Sequence, residues 1–115
     1  MSIGKLEDKL EAEMEEAEAS GTTDRRIPVL IEHTDVLIPS EDATDAQLDD
    51  LERRTKELQQ GIMSRLSELG AEERAHQLAL ANVVSADLAP GEIKEVAKLG
   101  DVKAIRLNRQ QNVTA

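Results

Sequence analysis

The last third of the chain changes its hydrophobic period twice, and this constrains the fold more than any other feature of the sequence. From 84 to 88, apolar and polar residues alternate with the two-residue period of a half-buried strand. Pro90 then favours the start of a helix, because the first helical turn does not need the backbone N–H that proline lacks. Gly100 favours the end of that helix, and a final strand is predicted over 102–107. This segment therefore predicts a strand, a short helix and a second strand.

Three further elements are predicted earlier in the chain. Residues 26–34 alternate as a strand, in which Pro28 is compatible only with an edge or a strand start. Residues 45–69 carry leucines at helical spacing, and Gly70 is predicted to end this helix. Gly61 inside the helix costs about 1 kcal/mol relative to alanine and permits a bend. Residues 74–82 alternate as another strand. The side chains predicted to meet between helices and sheet are Leu51, Leu58, Leu66, Ile93, Val96, Val29, Ile31, Leu78 or Leu80, Val84 or Ala86, and Ile105.

The predicted order is strand, helix, strand, strand, helix, strand. This is the βαββαβ pattern of a ferredoxin-like α+β sandwich, in which a four-stranded antiparallel sheet carries both helices on one face. A coiled-coil dimer through the 45–69 helix is the alternative fold. Its apolar repeat covers only three heptads, however, and it leaves the strands unexplained.

The negative charge of the chain is concentrated at its beginning. Residues 1–24 contain eight acidic residues and two lysines, so they carry −6 of the net charge of −10. A weak helix over 5–19 would place Leu6, Leu10, Met14 and Ala17 on one side. Because the like charges of this segment repel, we expect a solvated arm that is partly disordered or weakly helical. A segment that docks on a partner or on its own domain is the alternative. The predicted organisation is therefore an arm at 1–24, a folded domain at 25–108 and a flexible tail at 109–115.

The composition excludes several kinds of site. The chain has no cysteine, so disulfides, thiolate metal sites and a thiol nucleophile are excluded, and it has no aromatic residue. The two histidines, His33 and His76, are far apart in sequence, and Ser64 and Ser85 have no base near them in sequence. An acidic chain without stacking aromatics is also a poor partner for nucleic acid. We expect no enzyme, no metal, no cofactor, no nucleic acid and no membrane partner.

Residues 26–115 resemble the propeptide domain of subtilisin-like serine proteases, which also occurs as a free-standing protease inhibitor. Three stretches carry the resemblance. They are Asn-Val-Val-Ser-Ala-Asp-Leu at 82–88, Glu-Ile-Lys-Glu-Val-Ala at 92–97 and Gly-Asp-Val-Lys-Ala-Ile at 100–105. The resemblance implies a monomer when free, and no catalytic residue of its own.

The resemblance also implies how the chain would inhibit such a protease. The open face of the sheet would pack on the enzyme surface, and the tail would lie in the substrate cleft as an added strand. Four successive substrate pockets would take Asn112, Val113, Thr114 and Ala115, with Ala115 nearest the catalytic serine. At Asn112 many family members have an apolar residue, so the matching pocket should be polar or this contact is weak.

Two further residues are implied contacts with the protease surface, Asn82 and Asp87. Asn82 matches a position where an acidic residue can cap a protease helix, and an amide retains the hydrogen bond but loses most of the charge–dipole attraction. Glu32, Asp87 or the acidic arm are candidates to supply the missing charge.

The sequence is also compatible with other interpretations. One is a small ferredoxin-like regulatory or dimerisation module without a protease target, and another is an acidic scaffold protein that pairs through the 45–69 helix. Within the protease reading, the chain is either a free-standing inhibitor or an excised prodomain that also acts as a folding chaperone. The acidic N-terminus lacks the basic and apolar regions of a signal peptide. We therefore expect the chain as given to be cytoplasmic, and extracellular if it is an excised prodomain.

Overall fold

The computed structural model describes residues 5–22, 24–35, 37–38, 40–78 and 81–108. Four α-helices and four β-strands lie within these residues. In chain order they are α1 (Asp8–Ala19), β1 (Ile27–His33), α2 (Asp45–Leu58), α3 (Gln60–Glu68), β2 (Ala75–Leu78), β3 (Val83–Leu88), α4 (Pro90–Ala97) and β4 (Val102–Leu107), with a single 3-10 turn at Glu72–Arg74 before β2. Among the described helices, none is long and apolar enough to span a membrane.

The strands form one antiparallel sheet in the order β2-β3-β1-β4. At its centre, Ile31 of β1 lies between Val84 of β3 and Ile105 of β4. Pro28 is the second residue of β1, at a strand start as its missing N–H requires. The predicted α+β class and four-stranded antiparallel sheet are confirmed.

The core lies on one face of this sheet. In β1 every second side chain, from Ile27 to His33, is buried, and the residues between them are only half-buried. The helices α1, α3 and α4 contribute fully buried side chains to the same apolar cluster. Those fully buried helix residues are Leu10, Ile62, Leu66, Ile93 and Val96. Ile93, Val96 and Leu66 therefore point inward as predicted.

The predicted single helix over 45–69 is wrong in one respect, because the structure divides it into α2 and α3. The break falls at Gln59, a buried residue, and not at Gly61. A Cβ built on Gly61 would lie 2.7 Å from the Asp101 carboxylate, so this glycine permits a close approach. Leu51 and Leu58 of α2 are only half-buried, so their predicted place in the core is also wrong.

The two ends of predicted helices give different results. Gly70 follows α3 with a φ of +75°, as a glycine after a helix often does, so the predicted stop is confirmed. In contrast, α4 ends at Ala97, before the predicted stop at Gly100.

In strand β2, the side chains that face the core are not the ones that were predicted to do so. Ala75 lies opposite Ala86 and is buried, whereas Leu78 is 38% exposed on the other face. The register of β2 against β3 decides this, because a shift of one residue moves every side chain to the other face. Leu80, the other predicted core residue of this strand, lies outside the described residues.

The expectation of a solvated N-terminal arm is wrong for residues 5–22. Leu10 and Met14 of α1 join the core, and Leu6 pairs with Ile105 in a parallel bridge beside β4. The acidic side chains of α1 lie mostly on its outer side, so helix docking does not bury their charge. An ion pair at 3.2 Å between Glu18 and Lys94 also joins α1 to α4. The alternative in which the segment docks on its own domain is the one observed.

Candidate functional site

The face of the sheet opposite the core is the candidate site, and we call it the open face. The alternation of β1 places Leu30 and Glu32 here, both only half-buried. Arg106 of β4 lies opposite Leu30, and Leu78 of β2 is exposed at the other edge. Because the helices α1, α3 and α4 cover the other face, apolar side chains on this one remain accessible to a partner.

A groove of about 320 Å³ lies on the open face. It is lined by Glu7, Leu30, Leu78, Ala81, Val83, Arg106, Leu107 and Asn108. Apolar side chains therefore make up most of its lining, and charged or polar groups stand beside them. An apolar centre with a polar surround is the usual arrangement of protein–protein interfaces.

One ion pair crosses the open face. Arg106 Nε lies 3.7 Å from Glu32 Oε1, and about half of the arginine side chain is exposed. A pair this exposed contributes little to stability, but it keeps the charge of this part of the face balanced. The groove is therefore suited to an apolar contact and does not favour a strongly charged one.

Asn82 has a conformational role in this structure. It has a φ of +58°, in the left-handed region that asparagine tolerates better than most residues, and it directly precedes β3. Its side-chain Oδ1 is buried and accepts no hydrogen bond within the described residues. The amide oxygen is therefore turned away from solvent, and in this conformation it is not presented to a partner helix.

Asp87 lies near the other end of β3 and is exposed. It lies five positions after Asn82, about 16 Å along a strand. The two predicted contacts with a protease surface are thus not brought together. Asp87 lies opposite Pro28, at the end of the sheet where β4 also finishes.

The backbone that presents Asp87 is held by an arginine that the sequence analysis missed. Arg74 Nη1 donates to the Asp87 carbonyl at 2.5 Å, and its two terminal nitrogens donate to Glu92 at 3.4 and 3.3 Å. Burial opposes ionisation of Glu92, but the Ala89 N–H and the Arg74 guanidinium outweigh it and lower the pKa of this carboxyl. No spacing in the sequence links 74 with 87 and 92, so only the fold could reveal this contact.

The predicted cleft-binding residues Asn112, Val113, Thr114 and Ala115 lie outside the described residues. The structure does describe the point from which they leave. Asn108, the last described residue, donates its backbone N–H to the Pro28 carbonyl at 2.9 Å and lines the groove. The tail therefore starts at the border of the open face.

The open face also places His76 of β2 directly opposite Ser85 of β3, a proximity that the sequence did not suggest. The hydrogen bonds of the described residues include none between these two side chains. An activated serine needs a base within hydrogen-bond reach, and this pair does not supply one. The described His, Asp and Glu side chains also include no group of three that could hold a metal ion.

A larger cleft, of about 560 Å³, lies where α4 begins. Its charged side chains are largely paired with one another or with neighbours, including Glu18 with Lys94 and Glu92 with Arg74. Lys98 Nζ donates a hydrogen bond to the Glu95 carboxylate at 2.7 Å. This hydrogen bond, together with the charges of Lys98 and Arg65, lowers the pKa of Glu95. Among the described residues that line the cleft, no buried side-chain polar atom lacks a hydrogen-bond partner, so we assign it no ligand.

Comparisons of this chain with protein-family models, with curated proteins and with solved structures find no match.

Proposed function

We propose that this chain is a ferredoxin-like domain that binds and inhibits a subtilisin-like serine protease. The ferredoxin-like assignment is supported by the strand order β2-β3-β1-β4, in which the two βαβ halves interleave and every neighbouring pair is antiparallel. The resemblance of residues 26–115 to protease propeptides supports the functional part.

The strongest support for the proposal is that β4 ends beside the groove of the open face. A partner seated on Leu30 and Leu78 would therefore lie next to Asn108, the residue from which the tail begins. Seven residues follow Asn108. Fully extended, they reach roughly 23 Å, enough to lie along several substrate pockets.

The inhibition we propose needs no chemistry from the chain itself. Backbone pairing with the cleft supplies affinity, and alternate side chains supply selectivity. The four residues from Asn112 to Ala115 occupy the pockets, and the small Ala115 lies nearest the catalytic serine.

The structure supports the two proposed surface contacts, Asp87 and Asn82, to different degrees. Asp87 is exposed and held by Arg74, so it is the better candidate for a contact with the protease. Asn82 would have to turn its buried Oδ1 outward before it could cap a helix of the enzyme. We therefore propose that Asn82 contributes mainly through its backbone conformation at the start of β3, and not through a direct contact with the enzyme.

The test is inhibition of a panel of subtilisin-like proteases by the full chain and by a form that lacks 112–115. We expect inhibition by the full chain to be competitive with substrate and to be mostly lost on truncation, while circular dichroism stays unchanged. Equal activity of both forms would refute the insertion of the tail into the cleft.

The structure offers a matched pair of variants for the open face. Leu78 and Ile38 are the large apolar side chains most exposed among the described residues, and only Leu78 lines the groove. We expect Leu78→Asp to weaken inhibition, because it places a charge in the apolar contact. Ile38→Asp should have no effect, and equal effects of both changes would remove the groove from the proposal.

A dimerisation module without a protease target is the second candidate. The accessible Leu78 and Leu30 favour it, since two copies could cover each other's groove. Sedimentation over a range of concentrations separates the two candidates. The dimer would be favoured if the chain self-associates, if Leu78→Asp abolishes this association and if the chain inhibits no protease. The prodomain form of our proposal would add a role as a folding chaperone and an extracellular location, and the free-standing form would act in the cytoplasm.

A further inference from the structure

Glu7 is the residue at which an added edge strand becomes a helix. Its backbone N–H donates to the Ile105 carbonyl at 3.0 Å, and Ile105 in turn donates to the Lys5 carbonyl at 2.7 Å. These two bonds make residues 5–7 a short parallel neighbour of β4. At Glu7 the chain then enters α1, and the Glu7 carbonyl accepts the Glu11 N–H at 3.0 Å.

Because the Glu7 carbonyl accepts a hydrogen bond within α1, it is not available to the next N–H donor of β4, that of Leu107. In a continuing parallel ladder, that carbonyl would accept the Leu107 N–H. In this structure the Glu7 side chain accepts that hydrogen bond instead, with 3.2 Å between the Leu107 nitrogen and Glu7 Oε1.

The position of Glu7 makes this contact unusual. Glu7 is the N-cap residue of α1, where a side chain commonly accepts a hydrogen bond from its own helix. Its side chain makes no such cap bond. The carboxylate thus reaches the end of β4 instead of the helix to which it belongs.

The end of β4 is consequently held on both edges. On the outer edge the Leu107 N–H is bound by Glu7, and on the inner edge the Asn108 N–H is bound by the Pro28 carbonyl. The last residues of a strand are usually among the first to open, so two successive anchors here hold the residues from which the tail begins.

We propose that Glu7 is a positioning residue for the inhibitory tail. This inference rests on the proposed function, and it gives the docked N-terminal segment a part in inhibition. With the end of β4 fixed at Leu107 and Asn108, we expect the inhibitory tail to lose less conformational freedom when it enters the cleft. Without the anchor, we expect inhibition to weaken about three- to tenfold, the cost of ordering one more residue on binding.

The experiment compares Glu7→Ala, Glu7→Gln and the control Glu15→Ala, which changes an exposed acidic residue of the same helix. For each full-length variant we would measure the inhibition constant, the thermal midpoint and the hydrogen-exchange rate of the Leu107 amide. We expect Glu7→Ala to raise the exchange rate and to weaken inhibition at a temperature where the fold is intact. Glu7→Gln should restore most of both, because the amide oxygen still accepts the hydrogen bond, and Glu15→Ala should change neither.

Different results would overturn different parts of the argument. Unchanged Leu107 exchange in Glu7→Ala would show that the contact does not hold the strand end. Faster exchange with unchanged inhibition would show that the anchor does not position the tail. If the wild-type chain inhibits none of the proteases, the proposed function and the positioning role fail together, and the exchange rates show whether the anchor itself exists.

Discussion

Replacing Leu10 by alanine tests whether the acidic N-terminal segment is part of the folded core. The Leu10 side chain is fully buried and belongs to the same apolar cluster as Ile93 and Ile105. Leu→Ala removes the equivalent of about three methylene groups, worth about 2.4 kcal/mol of transfer free energy, and it leaves a cavity. We therefore expect the free energy of unfolding to fall by about 2 to 5 kcal/mol. For a small domain this is a large part of the total stability, which is typically about 5 to 15 kcal/mol.

Urea denaturation followed by far-ultraviolet circular dichroism is the suitable assay, because the chain contains no tryptophan or tyrosine to report by fluorescence. Ala12→Ser on the exposed side of the same helix is the control and should change the stability by about 0.5 kcal/mol or less. If the segment were solvated, Leu10→Ala would leave the denaturation midpoint unchanged, because alanine is at least as good a helix former as leucine. That result would refute the docking of α1.

Three further predictions concern the helices. Leu66→Ala, at a fully buried site, should cost about 2 to 5 kcal/mol in urea denaturation, and Leu58→Ala should cost clearly less because Leu58 is only half-buried; equal losses would contradict the packing of α2. Thr44→Ala removes a side chain that accepts the Gln47 N–H at the start of α2, so we expect a loss of about 1 kcal/mol, and no loss would show that this cap does not contribute. Because the pKa of Glu92 is lowered in the folded state, its ionisation stabilises the fold above its ordinary pKa, and this stabilisation is lost as the pH falls through the lowered value. Glu92→Gln should therefore flatten the decline in thermal midpoint on acidification, and an unchanged decline would contradict this.

The local patterns of the sequence predicted most of the elements but not how each of them meets the sheet. The alternation in 26–34 and the helix opened by Pro90 are both observed, since each depends only on residues two to four positions apart. The sequence could not show the inward side of β2, because that depends on its register against β3. The break at Gln59 and the close approach of Asp101 to Gly61 likewise depend on tertiary neighbours.

The candidate site divides in the same way. The resemblance named Asn82 and Asp87 as protease contacts, but only the structure shows the buried Oδ1 of Asn82 and the hold of Arg74 on Asp87. The groove on the open face and the bond from Leu107 to Glu7 were not predicted from the sequence. Glu7 and Leu107 are one hundred positions apart, so no local pattern connects them.

The sequence by itself determined the α+β class, the order of the strands along the chain and the apolar stripe of α1. Tertiary structure alone decided that this stripe docks, because docking requires an uncovered surface, here the outer edge of β4 and the neighbouring part of α4. Counting charges predicted repulsion within the segment, but repulsion among solvated side chains is weak compared with the burial of Leu10 and Met14. Periodicity is a property of neighbours in sequence, whereas the free energy of docking depends on the surface that the assembled sheet leaves exposed.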